Sequence, residues 1–212
     1  MENFNFSMAF YFILAYFCGA IPTSFLFGKF FKGIDIRQVG SGNVGASNAF
    51  RVLGKKIGVM VMAIDIMKGF FPVYLAKRAA NGPDFEIILF LIGLTAVLGH
   101  VFTVFLNFKG GKGVAASGGV FLALTPKAGI ICIIIWIALV LATKMASVGS
   151  IAAAAALPFL VYFADKSSSL LVFISAVISI LVICMHKKNI INLINGRELK
   201  ITSGCKKEDD NK

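Results

Sequence analysis

Six long apolar runs, at 8–28, 57–76, 87–106, 127–143, 147–164 and 170–185, constrain this sequence more than any other feature. A hydrocarbon core of about 30 Å asks for roughly 20 apolar residues per helix, and fewer where protein shields the helix ends. The runs fit that ruler. With 58% hydrophobic and 15% charged residues and a mean hydropathy of +0.87, the soluble globular classes are excluded. Disorder is excluded as well, because the 21 Phe and the Ile, Leu, Val and Ala runs carry too much apolar surface to stay solvated. A seventh segment, 114–125, is short and rich in Gly and Ala.

Charge decides whether that segment crosses. The net charge is +11, from 21 Lys and Arg against 10 Asp and Glu. Basic residues near span ends favour the cytoplasmic side. If 114–125 crosses, sixteen of the 21 basic residues face the cytoplasm, four (Lys77, Arg78, Lys127 and Lys166) face outward, and Lys68 lies within a span. If it does not cross, the split becomes ten to ten. The asymmetry predicts an all-α integral membrane protein of seven transmembrane helices, N-terminus outside and C-terminus cytoplasmic, with short interfacial helices on the cytoplasmic side. Lipid tolerates a short, Gly-rich helix poorly, so 114–125 is expected to be surrounded by other helices.

The domain organisation is simple. No internal repeat stands out, and residues 1–202 read as one membrane domain followed by a polar tail, 203–212, expected to be disordered. No basic residue precedes the first run and no small-x-small cleavage site follows it, which favours a retained span over a signal peptide. Cys18, Cys132, Cys184 and Cys205 show no CxxC or metal-like spacing, so neither a disulfide framework nor a metal site is expected.

Three polar, glycine-marked segments fall on the cytoplasmic side in this topology. The first is SGNVGASN over 41–48, followed by Arg51. Glycines with Ser and Asn ahead of a short helix suit an anion at the helix N-terminus, and Arg51 adds a fork of donors. They equally suit a turn plus a helix cap ended by Gly54. The second is FKGGKG over 108–113, leading directly into the short span. Its lysines obey the positive-inside rule, but its three glycines favour close backbone approach to a phosphate. The nucleotide-binding pattern G-x-x-x-x-G-K-[ST] is absent. The third, HKKN over 186–189 and NGRE over 195–198, flanks an apolar stripe that predicts a short interfacial helix, with His186 and Asn189 sharing a face.

The absences narrow the chemistry. No carboxylate pair, HExxH or HxxxxD arrangement stands out, which disfavours metal hydrolysis and a His/Asp acyltransferase pair. His100, at the end of the third run, reads as structural. Asp65 and Lys68 interrupt the second run; three residues apart, they are placed to neutralise each other, to hold Arg51 or to face a polar cavity. A phosphorylated, amphiphilic ligand follows from this distribution. Two classes compete: an enzyme transferring groups on a lipid precursor, and a transporter or channel for a phosphorylated solute. A transporter would normally carry charges or broken helices near mid-membrane. Here the polar groups gather at one interface, favouring the enzyme.

Taken together, the 41–48 segment, His100 through the 108–114 loop, Asp65-x-x-Lys-Gly69 and His186-x-x-Asn-Ile through Gly196-x-Glu198 resemble the motifs of the bacterial acyl-phosphate:glycerol-3-phosphate acyltransferase family. The resemblance runs from the first span to about Lys200. It implies transfer of a fatty acyl group from acyl-phosphate to the sn-1 hydroxyl of glycerol-3-phosphate, giving lysophosphatidic acid and inorganic phosphate at the bacterial cytoplasmic membrane. It implies no cofactor, no metal, no nucleic acid and no obligate protein partner. Ser41 and His186 are the implied catalytic residues; Gly42, Asn43, Asn48, Arg51, Lys109, Gly110, Gly111, Lys112, Gly113, Asn189 and Glu198 are the implied substrate-binding ones. Ser47, Ala116 and Asn192 depart from residues usual in the family. Because acyl-phosphate already has a good leaving group, direct attack by the acceptor hydroxyl is expected. Either His186 or the donor phosphate takes the proton. With no carboxylate to set the histidine tautomer, the phosphate is favoured.

Overall fold

The computed structural model describes residues 6–79, 85–166 and 168–202. The 203–212 tail, with Cys205, lies outside the described residues. Ten helices follow in chain order: α1 (Phe6–Ala20), α2 (Thr23–Lys32), α3 (Ala46–Leu53), α4 (Lys55–Ala79), α5 (Phe85–Val101), α6 (Val114–Leu124), α7 (Pro126–Thr143), α8 (Ala146–Phe163), α9 (Ser169–Met185) and α10 (Lys187–Ile194), with no strand among the described residues. By length and composition α4, α5 with its following turn, α7 and α8 each suffice to cross a membrane, and the bent pairs α1/α2 and α9/α10 raise the number to six. The outward faces keep Phe159, Phe173 and Leu141 exposed, as a lipid-facing surface requires.

Helices in lipid gain nothing by hiding apolar surface from one another, so close packing of small residues holds them together. Gly69 on α4 meets the Ala116 carbonyl of α6, and Gly119 on α6 meets the Ile66 carbonyl of α4; a Cβ at either would run into backbone. Gly19 of α1 and Gly99 of α5 seat that pair in the same way. Short α6 packs against α4, α5 and α7, and Ala116, Val120, Phe121 and Ala123 are buried. It is enclosed by protein, as its composition predicts.

The first apolar run is not one helix. It breaks at Ile21-Pro22, and α1 and α2 meet at a 41° bend. Pro22 has no N–H and disfavours helical geometry before it, which leaves carbonyls without helical partners. The Thr103 hydroxyl donates to Ala20 O, and the Lys68 ammonium to Ile21 O. Lys68 also pairs with Asp65 at 2.6 Å, and Thr23 donates to the same carboxylate oxygen at 3.2 Å. The two charges within the second run therefore neutralise each other and clip the break, with Asp65 1% and Lys68 5% exposed.

Candidate active site

A cavity of about 760 Å³ lies among α4, α6, α7, α8 and α9, and the α2–α3 loop, α3, α10 and the segment after α10 border it. One end is polar, lined by Ser41, Arg51, Lys112, His186, Asn189 and Glu198. The other is apolar, lined by Phe121, Cys132, Ile133, Ala154, Leu157 and Ile178. Along α8 the lining residues run from Ala146 to Leu157, an axial distance of about 16 Å. A charged head and an alkyl tail would each find a matching end.

The 41–48 segment is organised by Asn48. Its amide donates to Ile36 O (3.1 Å) and Val39 O (3.0 Å), while its oxygen accepts from Ser41 N (2.9 Å) and Arg51 Nη1 (3.4 Å). That exhausts the side chain's capacity, so buried Asn48 acts here as the staple of the loop. Asn43 closes an Asx turn onto Gly45 N, and the Ser24 hydroxyl hooks Val44 O. Gly42 takes a left-handed φ of 69°, which lets Ser41 sit exposed at the cavity edge. Arg51, on the last turn of α3, donates through Nε to Lys200 O (3.2 Å) and through Nη2 to Leu199 O (3.3 Å). The chain after α10 is thereby strapped across α3, and Ile201 N bonds to Lys144 O at the α7–α8 junction.

The FKGGKG loop divides its residues between two tasks. Gly110 N donates to Val101 O and Gly111 N to His100 O, and a Cβ at either position would collide with those carbonyls or with the His100 ring. These two glycines dock the loop onto the end of α5 and do not line the cavity. Lys109 is exposed and also outside the lining. Lys112 and Gly113 do line it. Gly113, at φ 80°, caps α6, and the N–H groups of Val114, Ala115 and Ala116 behind it have no acceptor among the described residues. The donors that face the cavity thus lie one step further along the chain than the spacing of the loop alone predicts. Burial lowers the Lys112 pKa from its ordinary value, opposed by Glu198 and reinforced by Arg51.

In the third segment the spacing predicts a shared face for His186 and Asn189, and both line the cavity. His186 sits at the 59° bend between α9 and α10, and its Nδ1 donates to Val182 O at 2.7 Å. A backbone carbonyl therefore sets the tautomer without any carboxylate, and Nε2 remains as the acceptor. Burial pushes the ring pKa down to about 4, against the Val182 hydrogen bond and helped by Lys112, so His186 is neutral at pH 7. Beside it the Lys112 ammonium donates to Asn189 Oδ1. Asn189 Nδ2 donates to Glu198 Oε1 (2.7 Å), which also accepts from Ser147 Oγ (2.7 Å). Glu198 thus fixes the Asn189 amide with its oxygen toward the lysine.

Lining residues with no sequence signal of their own are Ser147 and Ser150 on α8, Trp136 on α7, Ser117 on α6 and Ser179 on α9. Trp136 Nε1 donates to Ser150 Oγ at 3.1 Å. Serines 147 and 150, three apart in an otherwise apolar helix, are the one pattern that could have flagged α8.

A polar, cationic end joined to an apolar slot is a site for a phosphorylated amphiphile, and known proteins share both the sequence and the fold that build it. Residues 9–196 match the family model described as glycerol-3-phosphate acyltransferase. The glycerol-3-phosphate acyltransferase of Fusobacterium nucleatum subsp. nucleatum is 46% identical over 191 residues, covering 89% of this chain and 95% of that protein. The enzyme of that name from Thermotoga petrophila is 43% identical over 190 residues, covering 89% and 94%. Among solved structures, PlsY (YgiH), an integral membrane glycerol 3-phosphate acyltransferase crystallised in a glycerol 3-phosphate form, superposes with a TM-score of 0.84 at 40% identity, covering 92% of this chain and 95% of that one. Its lysophosphatidic acid form gives 0.82 at 38% identity, covering 93% and 96%. With nearly the whole length of the chain matched in sequence and in fold, this multi-pass membrane protein belongs to the glycerol-3-phosphate acyltransferase family.

Proposed function

We propose that this chain transfers a fatty acyl group from acyl-phosphate to the sn-1 hydroxyl of glycerol-3-phosphate, releasing lysophosphatidic acid and inorganic phosphate. The observation that carries the reading is the polarity of the cavity: Arg51, Lys112 and the free N–H groups opening α6 lie at one end, and the slot between Phe121 and Leu157 at the other. Family membership supplies the acceptor. The donor follows from the chemistry the site offers. A mixed anhydride needs no covalent acyl-enzyme, only two phosphates held close together by cations and backbone donors. The donor phosphate rests on the α6 N-terminus and Lys112, with Ser41 beside it. The acceptor phosphate takes Arg51, exchanging the Leu199 and Lys200 carbonyls for phosphate oxygens. Neutral His186 accepts a hydrogen bond from the attacking hydroxyl and orients it. His186 already commits Nδ1 to Val182 O and burial disfavours its charged form, which supports proton transfer to the phosphate.

Seven spans, with the N-terminus outside and the polar end of the cavity facing the cytoplasm of a bacterial inner membrane, belong to the same proposal. The sixteen-to-four distribution of basic residues supports it, and so does the enclosure of α6 by its neighbours. The test uses detergent-purified protein given palmitoyl-phosphate with and without glycerol-3-phosphate, following phosphate release and lysophosphatidate. Release that depends on the acceptor is expected. Folded protein that gives none, yet moves glycerol-3-phosphate across liposome membranes, would support the transporter class instead.

A further inference from the structure

Three buried side-chain polar atoms lack a hydrogen-bond partner among the described residues: Ser117 Oγ, Ser179 Oγ and Glu198 Oε2. All three residues line the cavity. A buried hydroxyl without a partner costs the folded protein free energy, and native structures keep few of them. Ser117 has the more telling position. It is the fourth residue of α6, 6% exposed, and an ideal Cβ at the capping Gly113 would lie 3.9 Å from its Oγ. Side chains on a helix lean toward its N-terminus. The hydroxyl therefore belongs with the unpaired N–H groups of Val114, Ala115 and Ala116 and with Lys112, one turn nearer the apolar slot.

We propose that Ser117 is a further catalytic residue, whose hydroxyl donates to the acyl carbonyl oxygen of the donor and holds the charge that develops there. The role rests on the acyl-phosphate reading given above. In a carboxylic–phosphoric anhydride the carbonyl oxygen and the phosphate oxygens are each two bonds from the bridging oxygen, so they lie within about one helical turn, ~5 Å, of each other. A phosphate on the α6 N-terminus brings the carbonyl to Ser117 and sends the alkyl chain on past Gly118 and Phe121, the lining residues that follow on that helix.

The acceptor hydroxyl oxygen bonds to the carbonyl carbon, and the carbonyl π pair moves onto the oxygen held by Ser117. That pair returns as the bond from carbon to the bridging oxygen breaks. The departing phosphate keeps the bonding pair and takes the hydroxyl proton, leaving as hydrogenphosphate. Donation from Ser117 strengthens as the carbonyl oxygen gains charge, so it lowers the barrier more than it tightens binding.

Ser179 serves as the control. It is seven residues before His186 on α9, about 10 Å further along the axis and among apolar side chains, away from any phosphate donor. In the palmitoyl-phosphate assay, Ser117→Ala is expected to lower turnover by roughly a hundredfold, with the KM for glycerol-3-phosphate within about twofold of the parent. Ser117→Cys, a weaker donor, should fall between the two. Thermal unfolding of ligand-free Ser117→Ala should be unchanged or shifted upward, because an unpaired hydroxyl has been removed. Ser179→Ala should keep turnover within about threefold of the parent. Parental turnover in Ser117→Ala, an equal loss in Ser179→Ala, or a loss matched by lower thermal stability would each overturn the role. A parent protein with no acceptor-dependent turnover overturns the acyltransferase reading itself, and this role with it.

Discussion

Among the described residues two charged networks stand out, one buried and closed, the other part-buried and open. Asp65 and Lys68 spend their hydrogen bonds on each other, on Thr23 and on Ile21 O at the break between α1 and α2. Lys112, Asn189, Glu198 and Ser147 form the other chain, linking the loop before α6, α10, the segment after it and α8. That chain borders the cavity and ends on Glu198 Oε2, which has no partner among the described residues. Depth alone therefore does not mark function in a membrane protein. A satisfied pair repairs a helix, whereas an unsatisfied chain waits for a ligand.

The contrast can be broken by substitution. The largest effect is expected for Asp65→Ala, which strands Lys68 without its counter-charge and should cost about 3–5 kcal/mol, read as lost yield and a lowered unfolding temperature in detergent. Asp65 also lines the cavity, so intact stability with only activity lost would give its carboxylate a part in the chemistry there. Lys112→Met should do the reverse, cutting kcat/KM by roughly a hundredfold or more while stability holds, since a partly buried ammonium is removed. For Glu198→Gln the loss should be smaller, about tenfold, because the amide still accepts from Ser147 and Asn189 and only the charge facing Lys112 is gone. If Glu198 merely holds the fold, Tm will fall in step with activity.

The smallest effect concerns pH. A His186 pKa near 4, below the ordinary 6.5, means that the unfolded chain binds this proton more readily than the folded one between those values. Its stabilising contribution is full above pH 6.5 and lost as pH falls toward 4. Between pH 5.5 and 8 the rate profile should then owe no inflection to His186. Parent and His186→Gln should show the same inflections there, differing only in height; an inflection near 6.5 present in the parent alone would identify His186 as the base.

Much of the fold was legible because a bilayer imposes a ruler. The runs 57–76, 127–143, 147–164 and 170–185 lie within three residues of α4, α7, α8 and α9 at both ends. The run 87–106 takes in α5 and the 3-10 turn after it, and 114–125 corresponds to α6. The 8–28 run misses its break, although Pro22 stands in the middle of it, since hydropathy does not register a missing N–H. In the site, residue type and spacing brought Ser41, Arg51, Lys112, His186 and Asn189 to one cavity. They did not separate the glycines that dock a loop on α5 from the one that caps α6, because both demand the same missing side chain. Nor did they reveal the serines on α6, α8 and α9, whose significance depends on which way each helix is turned.

The 11 residues of α6 span only about 16 Å, against a hydrocarbon core of about 30 Å. A polar helix start and an apolar slot are thus joined at a depth where a soluble ester and a lipid can each arrive from its own phase. The acceptor has no need to partition into oil, nor the alkyl chain into water. In the proposed reaction the short helix acts as a local thinning of the barrier, so that the bond forms where two immiscible pools come within reach of each other.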